Sequence, residues 1–188
     1  MVKKAVCLLA DGFEDVEAIT PVDYLRRAGA EVTTVSISNN LTVTSRWGGI
    51  KLIADNTLAE FMLRGYSEYG AVIVPGGMPG AVNLASSREA SALLCKMAAD
   101  GKLICAICAS PVMVLSPLGL LAGKKFTCYP GMEEKAPEGL WQDDRVVVDG
   151  NIITSRAAGT AGEFAIAIIN ELFNEEAGKK ISGSVLLK

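Results

Sequence analysis

The sequence predicts an α/β fold in which a mainly parallel sheet carries helices on both faces. Three observations lead there. Short apolar, β-branched runs alternate with stretches of helical spacing along most of the chain, as strand–helix–strand units require. The runs are apolar at successive positions, which suits strands covered on both faces. The runs end in polar or glycine-rich loops, where sheets of this kind gather their ligands.

Val2 to Ala10 is the first strand, and the acidic residues from Asp11 to Glu17 come too soon after it for a signal peptide. A helix then runs from Glu14 through Val22 and Leu25 to Ala28. Gly29 supplies its stop and Pro21 is expected to kink it. Glu31 to Ile37 is the second strand. Leu41–Ser45 and Ile50–Ala54 read as short alternating strands at the sheet edge, around Trp47-Gly48-Gly49. Asn56 to Leu63 is a short helix. Ala71–Val74 is a third strand ending in Pro75-Gly76-Gly77-Met78-Pro79-Gly80, and a helix spans Ser87 to Asp100. Leu103 to Leu115 reads as strand, sharp turn at Cys108 and helix, with Ser110-Pro111 at the helix start. Lys125 to Tyr129 is a strand and Pro130 to Glu138 a loop. Arg145–Val148 pairs with Ile152–Thr154 across Asp149-Gly150-Asn151, and Thr160 to Leu172 is the last clear helix. With no repeat, linker or low-complexity segment, one domain over residues 1–188 is expected.

Composition excludes several classes. Half the residues are hydrophobic, 21% are charged and the net charge is −3, which argues against disorder and a nucleic-acid surface. No apolar run approaches the roughly 18 residues of a membrane span. Five cysteines, an odd number, do not suggest a disulfide framework and point to a reducing, cytoplasmic setting; the sequon Asn40-Leu41-Thr42 is then chance. The chain has no histidine, so Ser-His-Asp and Cys-His mechanisms within one chain and His-ligated metals are excluded. Gly76-Gly77-Met78-Pro79-Gly80 matches neither the dinucleotide fingerprint nor the P-loop. No cofactor or metal is expected.

Cys108 is the candidate nucleophile. At a strand-to-helix elbow its side chain and neighbouring N–H groups point outward together, and the helix start would stabilise a thiolate, lowering the pKa from about 8.5 to roughly 3.5–7.5. The competing reading is a small buried hydrophobe. Glu17, one turn into its helix, faces the same edge, and a carboxyl held against a thiolate would be pushed towards protonation and donate to the sulfur; alternatively it is a solvated helix-start acid. Gly76 and Gly77 at a strand end, with the Ala109 N–H, would form an oxyanion hole, or an ordinary turn. Cys105-Ala106-Ile107-Cys108 has C-x-x-C spacing, but Cys105 should lie inside the strand and face away from Cys108. Four loops should meet at one edge: Asp11–Glu17, Pro75–Gly80, Cys108–Pro111 and Ser155–Thr160.

Ala10-Asp11-Gly12-Phe13-Glu14-Asp15-Val16-Glu17, Pro21-Val22-Asp23, Arg26-Arg27-Ala28-Gly29, Val74-Pro75-Gly76-Gly77, Ala106-Ile107-Cys108-Ala109 and Thr154-Ser155-Arg156 with Gly159-Thr160 resemble the ThiJ/PfpI superfamily, in the branch containing the parkinsonism-associated protein deglycase. The resemblance covers nearly the whole chain. It implies a flavodoxin-like three-layer sandwich of the class I glutamine-amidotransferase type, usually a homodimer, with reactive Cys108, partner carboxyl Glu17 and oxyanion amides at Gly77 and Ala109. It also implies that Arg46 and Arg156 are basic residues near the pocket mouth, and that Asp23 and Arg27 lie near the dimer contact. Many members carry histidine where this chain has Ala109 and Tyr129, so a proton relay here must use Glu17, Tyr129 or water, and a protease-like mechanism is unsupported. Cys128, beside Tyr129, is a second redox candidate. The implied function is a cysteine-dependent enzyme on reactive carbonyls or glycated substrates, of glutathione-independent glyoxalase or deglycase type. The alternative is an oxidative-stress sensor or holdase chaperone working through Cys108 oxidation with little turnover.

Overall fold

The structure is a computed structural model that describes residues 2–47 and 49–187; Gly48, in the turn expected at Trp47-Gly48-Gly49, lies outside the described residues. The main sheet is built from β1 (Lys4–Leu9), β2 (Glu31–Ser36), β5 (Asn56–Thr57), β6 (Ala71–Val74), β7 (Leu103–Ile107), β10 (Val146–Asp149) and β11 (Ile152–Ser155). Their order is β10-β11-β7-β6-β1-β2-β5, parallel throughout except for the β10–β11 hairpin. The hairpin turns at Gly150, whose φ of 61° suits glycine.

Side chains alternate through the sheet into two cores. Val6, Leu8, Val72, Val74, Ile104 and Ala106 pack on one face beneath α2 (Leu58–Arg64), α3 (Gly80–Ser86) and α4 (Arg88–Ala99). Ala5, Cys7, Leu9, Ile73, Cys105 and Ile107 pack on the other beneath α1 (Asp15–Arg27), α5 (Ala161–Leu172) and α6 (Glu175–Ser184). This is the flavodoxin-like three-layer sandwich, and the successive apolar positions of β1, β6 and β7 are its direct cause.

Several expectations change. The segments expected as edge strands form a separate antiparallel ribbon, β3 (Thr42–Thr44) with β4 (Lys51–Ile53), while the sheet edge is the two-residue β5. The strand expected over Lys125–Tyr129 is only β8 (Lys125–Phe126), paired with β9 (Leu140–Trp141). Its remainder leaves the ribbon because the Thr127 N–H donates to Thr154 Oγ1 at 2.9 Å and the Tyr129 N–H to the Cys108 carbonyl at 2.8 Å. Helix α1 runs unbroken through Pro21. Helices α3 and α6 have no counterpart among the elements expected from the sequence.

Candidate active site

Cys108 comes directly after β7 with φ of 66°, a left-handed conformation that costs a non-glycine residue about 1–3 kcal/mol. Its surroundings impose it. The Cys108 N–H donates to the Ser155 carbonyl at 3.0 Å, and the Cys108 carbonyl accepts from Tyr129. The buried Ser110 hydroxyl donates to the Pro75 carbonyl at 2.6 Å, tying the elbow to the glycine loop. Beyond Ser110 the chain makes one π-helical turn, Pro111–Leu115, and then a 3-10 turn, Ser116–Leu118. The helix expected up to Leu115 is thus present as a single π turn in place of a regular α-helix, and so short a turn supplies little dipole.

Glu17 sits in the first turn of α1 and is 1% exposed. Glu14 caps that turn, its carboxylate accepting from the Glu17 N–H at 2.7 Å. Glu17 Oε2 accepts from the Gly76 N–H at 3.0 Å, and the side chain lies close enough to the Cys108 thiol and the Ala158 backbone for both to act on its protonation. Burial pushes the Glu17 carboxyl up to about 7, and the nearby Glu14 charge adds to this against the opposing hydrogen bonds. Burial also pushes the Cys108 thiol up to about 12, with the Glu17 charge reinforcing it and the Gly77 and Ala109 amides opposing. The expected depression of the Cys108 pKa is therefore corrected: desolvation and a buried carboxyl outweigh two amides. Two acids in one largely buried contact do not readily ionise together, so the pair holds a proton across neutral pH.

Glycines make this contact physically possible. A Cβ on Gly76 would stand 2.6 Å from the Cys108 Cβ and 2.6 Å from Glu17 Oε2. Gly77 has φ of 91°, and a Cβ there would stand 2.5 Å from the Gly12 carbonyl oxygen. The Gly76 N–H is committed to Glu17, which leaves the Gly77 and Ala109 amides, both close enough to favour the thiolate, as those available to a reacting oxygen.

The four anticipated loops meet in a cleft of about 420 Å³, through Glu14 and Glu17, Gly77 and Met78, Cys108 and Ala109, and Ala157 and Ala158. Arg46, Trp47, Tyr129 and Met132 complete it. The Arg46 guanidinium lies 4.3 Å from the centre of the Trp47 ring. Arg156 does not line the cleft; it pairs with Asp143. Cys128 is fully buried in the opposite core, and burial pushes its thiol up to about 11. Cys105 belongs to the layer against which Cys108 also packs, not the opposite one, because the chain departs from strand geometry at Cys108. Among the described residues no cluster of His, Cys, Asp or Glu could hold a metal ion. Sequence reasoning missed Glu14 as the cap, although its position three residues before Glu17 was a usable signal. It also passed over Trp47 and Met132 as cleft residues, which no local pattern marks, while Met78 and Ala158 lie in loops expected at this edge.

Comparison with known proteins gives a consistent picture. A family model described as the DJ-1/PfpI family matches residues 3–171. The protein DJ-1 homolog B of Arabidopsis thaliana is 41% identical over 179 residues, covering 95% of this chain and 40% of that protein; the chain thus spans less than half of that relative. A Caenorhabditis elegans protein named glutathione-independent glyoxalase DJR-1.2 is 33% identical over 93% of this chain and 91% of its own length. The structure of oxidized Toxoplasma gondii DJ-1 superposes with a TM-score of 0.93 at 37% identity, covering 98% of each chain. No described helix is long and apolar enough to cross a membrane.

Proposed function

Because the chain belongs to the DJ-1/PfpI family, we propose that it is a cysteine-dependent enzyme acting on reactive carbonyls, with Cys108 as nucleophile and Glu17 as proton shuttle. The observation that carries this is the buried Glu17 carboxyl, pushed up to about 7, whose Oε2 and the Cys108 Cβ both lie 2.6 Å from the point where a Cβ on Gly76 would stand. A group titrating near the working pH is the most effective proton carrier in either direction.

Methylglyoxal illustrates the reaction. The thiol sulfur adds to the aldehyde carbon as Glu17 takes the thiol proton, and the carbonyl oxygen, held by the Gly77 and Ala109 amides, receives it to give a hemithioacetal. Glu17 then removes the C–H proton from the former aldehyde carbon and returns a proton to the neighbouring carbon. The result is a thioester of lactate, formed by internal oxidation of one carbon and reduction of the next. Water cleaves the thioester and restores the thiol, so the sum is methylglyoxal plus water to lactate. A glycated amine or thiol adduct enters after its C–N or C–S bond breaks: the hydroxyl proton passes to the departing amine or thiol, and the aldehyde so restored is attacked by Cys108, as a deglycase requires. Arg46 and Tyr129 stand at the cleft to orient substrate.

The test is lactate formation from methylglyoxal without glutathione. Cys108→Ser should abolish it, and retained turnover in that variant would overturn the assignment. The same donor geometry supports a second reading, an oxidation sensor or holdase, since a protonated Glu17 can donate to a sulfinate oxygen. A homodimer in the cytoplasm, one domain per chain, belongs to this proposal. Ile19 on α1 and Ile53 on β4, 43% and 74% exposed, offer apolar surface for the contact.

A further inference from the structure

The cleft is far larger than methylglyoxal requires. Its volume of about 420 Å³ lies within the roughly 300–1,000 Å³ of sites that enclose much bulkier ligands, whereas methylglyoxal has only five non-hydrogen atoms. The extra space has a distinct lining. Trp47, Met78 and Tyr129 border it while 63%, 37% and 48% exposed, and Met132 completes the group. Large apolar side chains left open to water around a reactive centre are characteristic of ligand-binding grooves. Both aromatic rings and both thioethers favour contact with another aromatic ring. The Arg46 guanidinium, held over the Trp47 ring at 4.3 Å, steadies that indole in place.

We propose that Trp47, Met78, Tyr129 and Met132 form a specificity rim that selects α-oxoaldehydes bearing an aryl substituent over methylglyoxal. This rests on the reading of Cys108 and Glu17 as an oxoaldehyde site. The aldehyde carbon reaches the sulfur while the aryl group remains in the outer cleft against the rim. The chemistry is unchanged: phenylglyoxal plus water gives mandelate through the same thioester. Rim contacts form in the bound substrate and persist in the transition state, so the preference falls on KM and leaves kcat nearly alike.

The experiment compares phenylglyoxal with methylglyoxal in the wild type, Trp47→Ala and Trp141→Ala. Trp141 is the other tryptophan of the chain and lies outside the cleft. A single added methylene in an apolar pocket changes kcat/KM by about 10-fold or more, so the wild type should prefer phenylglyoxal by at least ~10-fold through KM. Trp47→Ala should lose about tenfold more kcat/KM on phenylglyoxal than on methylglyoxal, and Trp141→Ala should keep the wild-type preference. Equal kcat/KM for the two aldehydes, or a preference untouched by Trp47→Ala, would overturn the rim. If neither aldehyde turns over, the proposed function fails, and the rim is judged by binding alone. Phenylglyoxylate, which lacks the aldehyde, should then quench tryptophan fluorescence in Cys108→Ser and not in Cys108→Ser/Trp47→Phe; absence of quenching in the first protein overturns the inference.

Discussion

Replacing Glu17 with Gln should stabilise the protein in a manner that depends on pH. In the folded state the Glu17 carboxyl is raised from 4.5 to about 7, chiefly because α1 buries it, so the folded chain binds this proton more tightly than the unfolded chain does. Below about 4.5 both states carry the proton and the contribution to stability is fully present. As pH rises towards 7 the unfolded state releases it first, and stability is lost until the folded carboxyl ionises as well. A displacement from 4.5 to about 7, at about 1.4 kcal/mol per pKa unit, corresponds to about 3 kcal/mol. Glutamine carries no titrating proton. The stability of Glu17→Gln relative to wild type should therefore rise by about 3 kcal/mol between pH 4 and pH 8, on top of any constant change in packing or hydrogen bonding. The Cys108 thiol does not enter the comparison over this range, because burial moves it further up, to about 12. Urea denaturation at pH 4, 5.5 and 8 measures the difference, and in thermal melts it appears as a relative shift of roughly 2–4 °C per kcal/mol for a chain of this length. A difference that stays flat across the range would refute the raised carboxyl. One that falls with pH would show that Glu17 is instead held ionised by its amide donors.

The catalytic counterpart is a kcat/KM for methylglyoxal that rises with pH and levels off above about 7, as Glu17 ionises to its base form; Glu17→Gln should lack this limb and lose at least about 10²-fold in rate. Gly76→Ala places a methyl 2.6 Å from both the Cys108 Cβ and Glu17 Oε2, so it should cost about 1–3 kcal/mol in denaturation and about 10²-fold or more in kcat/KM by separating the two groups; near wild-type activity would mean that the contact is not needed. Under graded peroxide, mass spectrometry should find Cys108 oxidised before the fully buried Cys7, Cys105 and Cys128, and prior oxidation of any of these three would contradict the site geometry.

How much of this was legible in the sequence depends on how local the determining physics is. Strands β1, β6 and β7 could be read directly, because burial on both faces demands successive apolar residues and leaves little alternative. Helix α4 was legible through its apolar spacing at Ala92, Leu93, Cys95, Met97 and Ala98 and its stop at Gly101; Ser87 caps it, its hydroxyl accepting from the Ala90 N–H. Helix α3 was not, since it begins at a glycine with no side-chain cap and owes its place to packing of Ala81 and Leu84. Helix α6 was missed for a related reason: only Gly178 and Ile181 are buried along it, too few to show a period. The ribbons β3–β4 and β8–β9 could not be told from sheet edges, because the alternation of a short strand does not say which partner it pairs with.

The site divides along the same line. Cys108 and Glu17 could be picked out because each occupies a position defined by its own element, a strand end and a helix start. Their protonation could not, because it depends on what covers them. A helix start argues for a lowered thiol pKa; burial beside a second acid argues for a raised one, and here the second effect is larger. The same logic gives reason to see a site here and not an accident of packing. A left-handed cysteine, a carboxyl 1% exposed and a glycine that could not accept a single methyl each break a local rule and each costs stability. One such exception is common in a folded chain. Three that converge on the contact between one sulfur and one carboxyl, at the C-terminal edge of a parallel sheet, are what the proposed exchange of a proton between Cys108 and Glu17 would require.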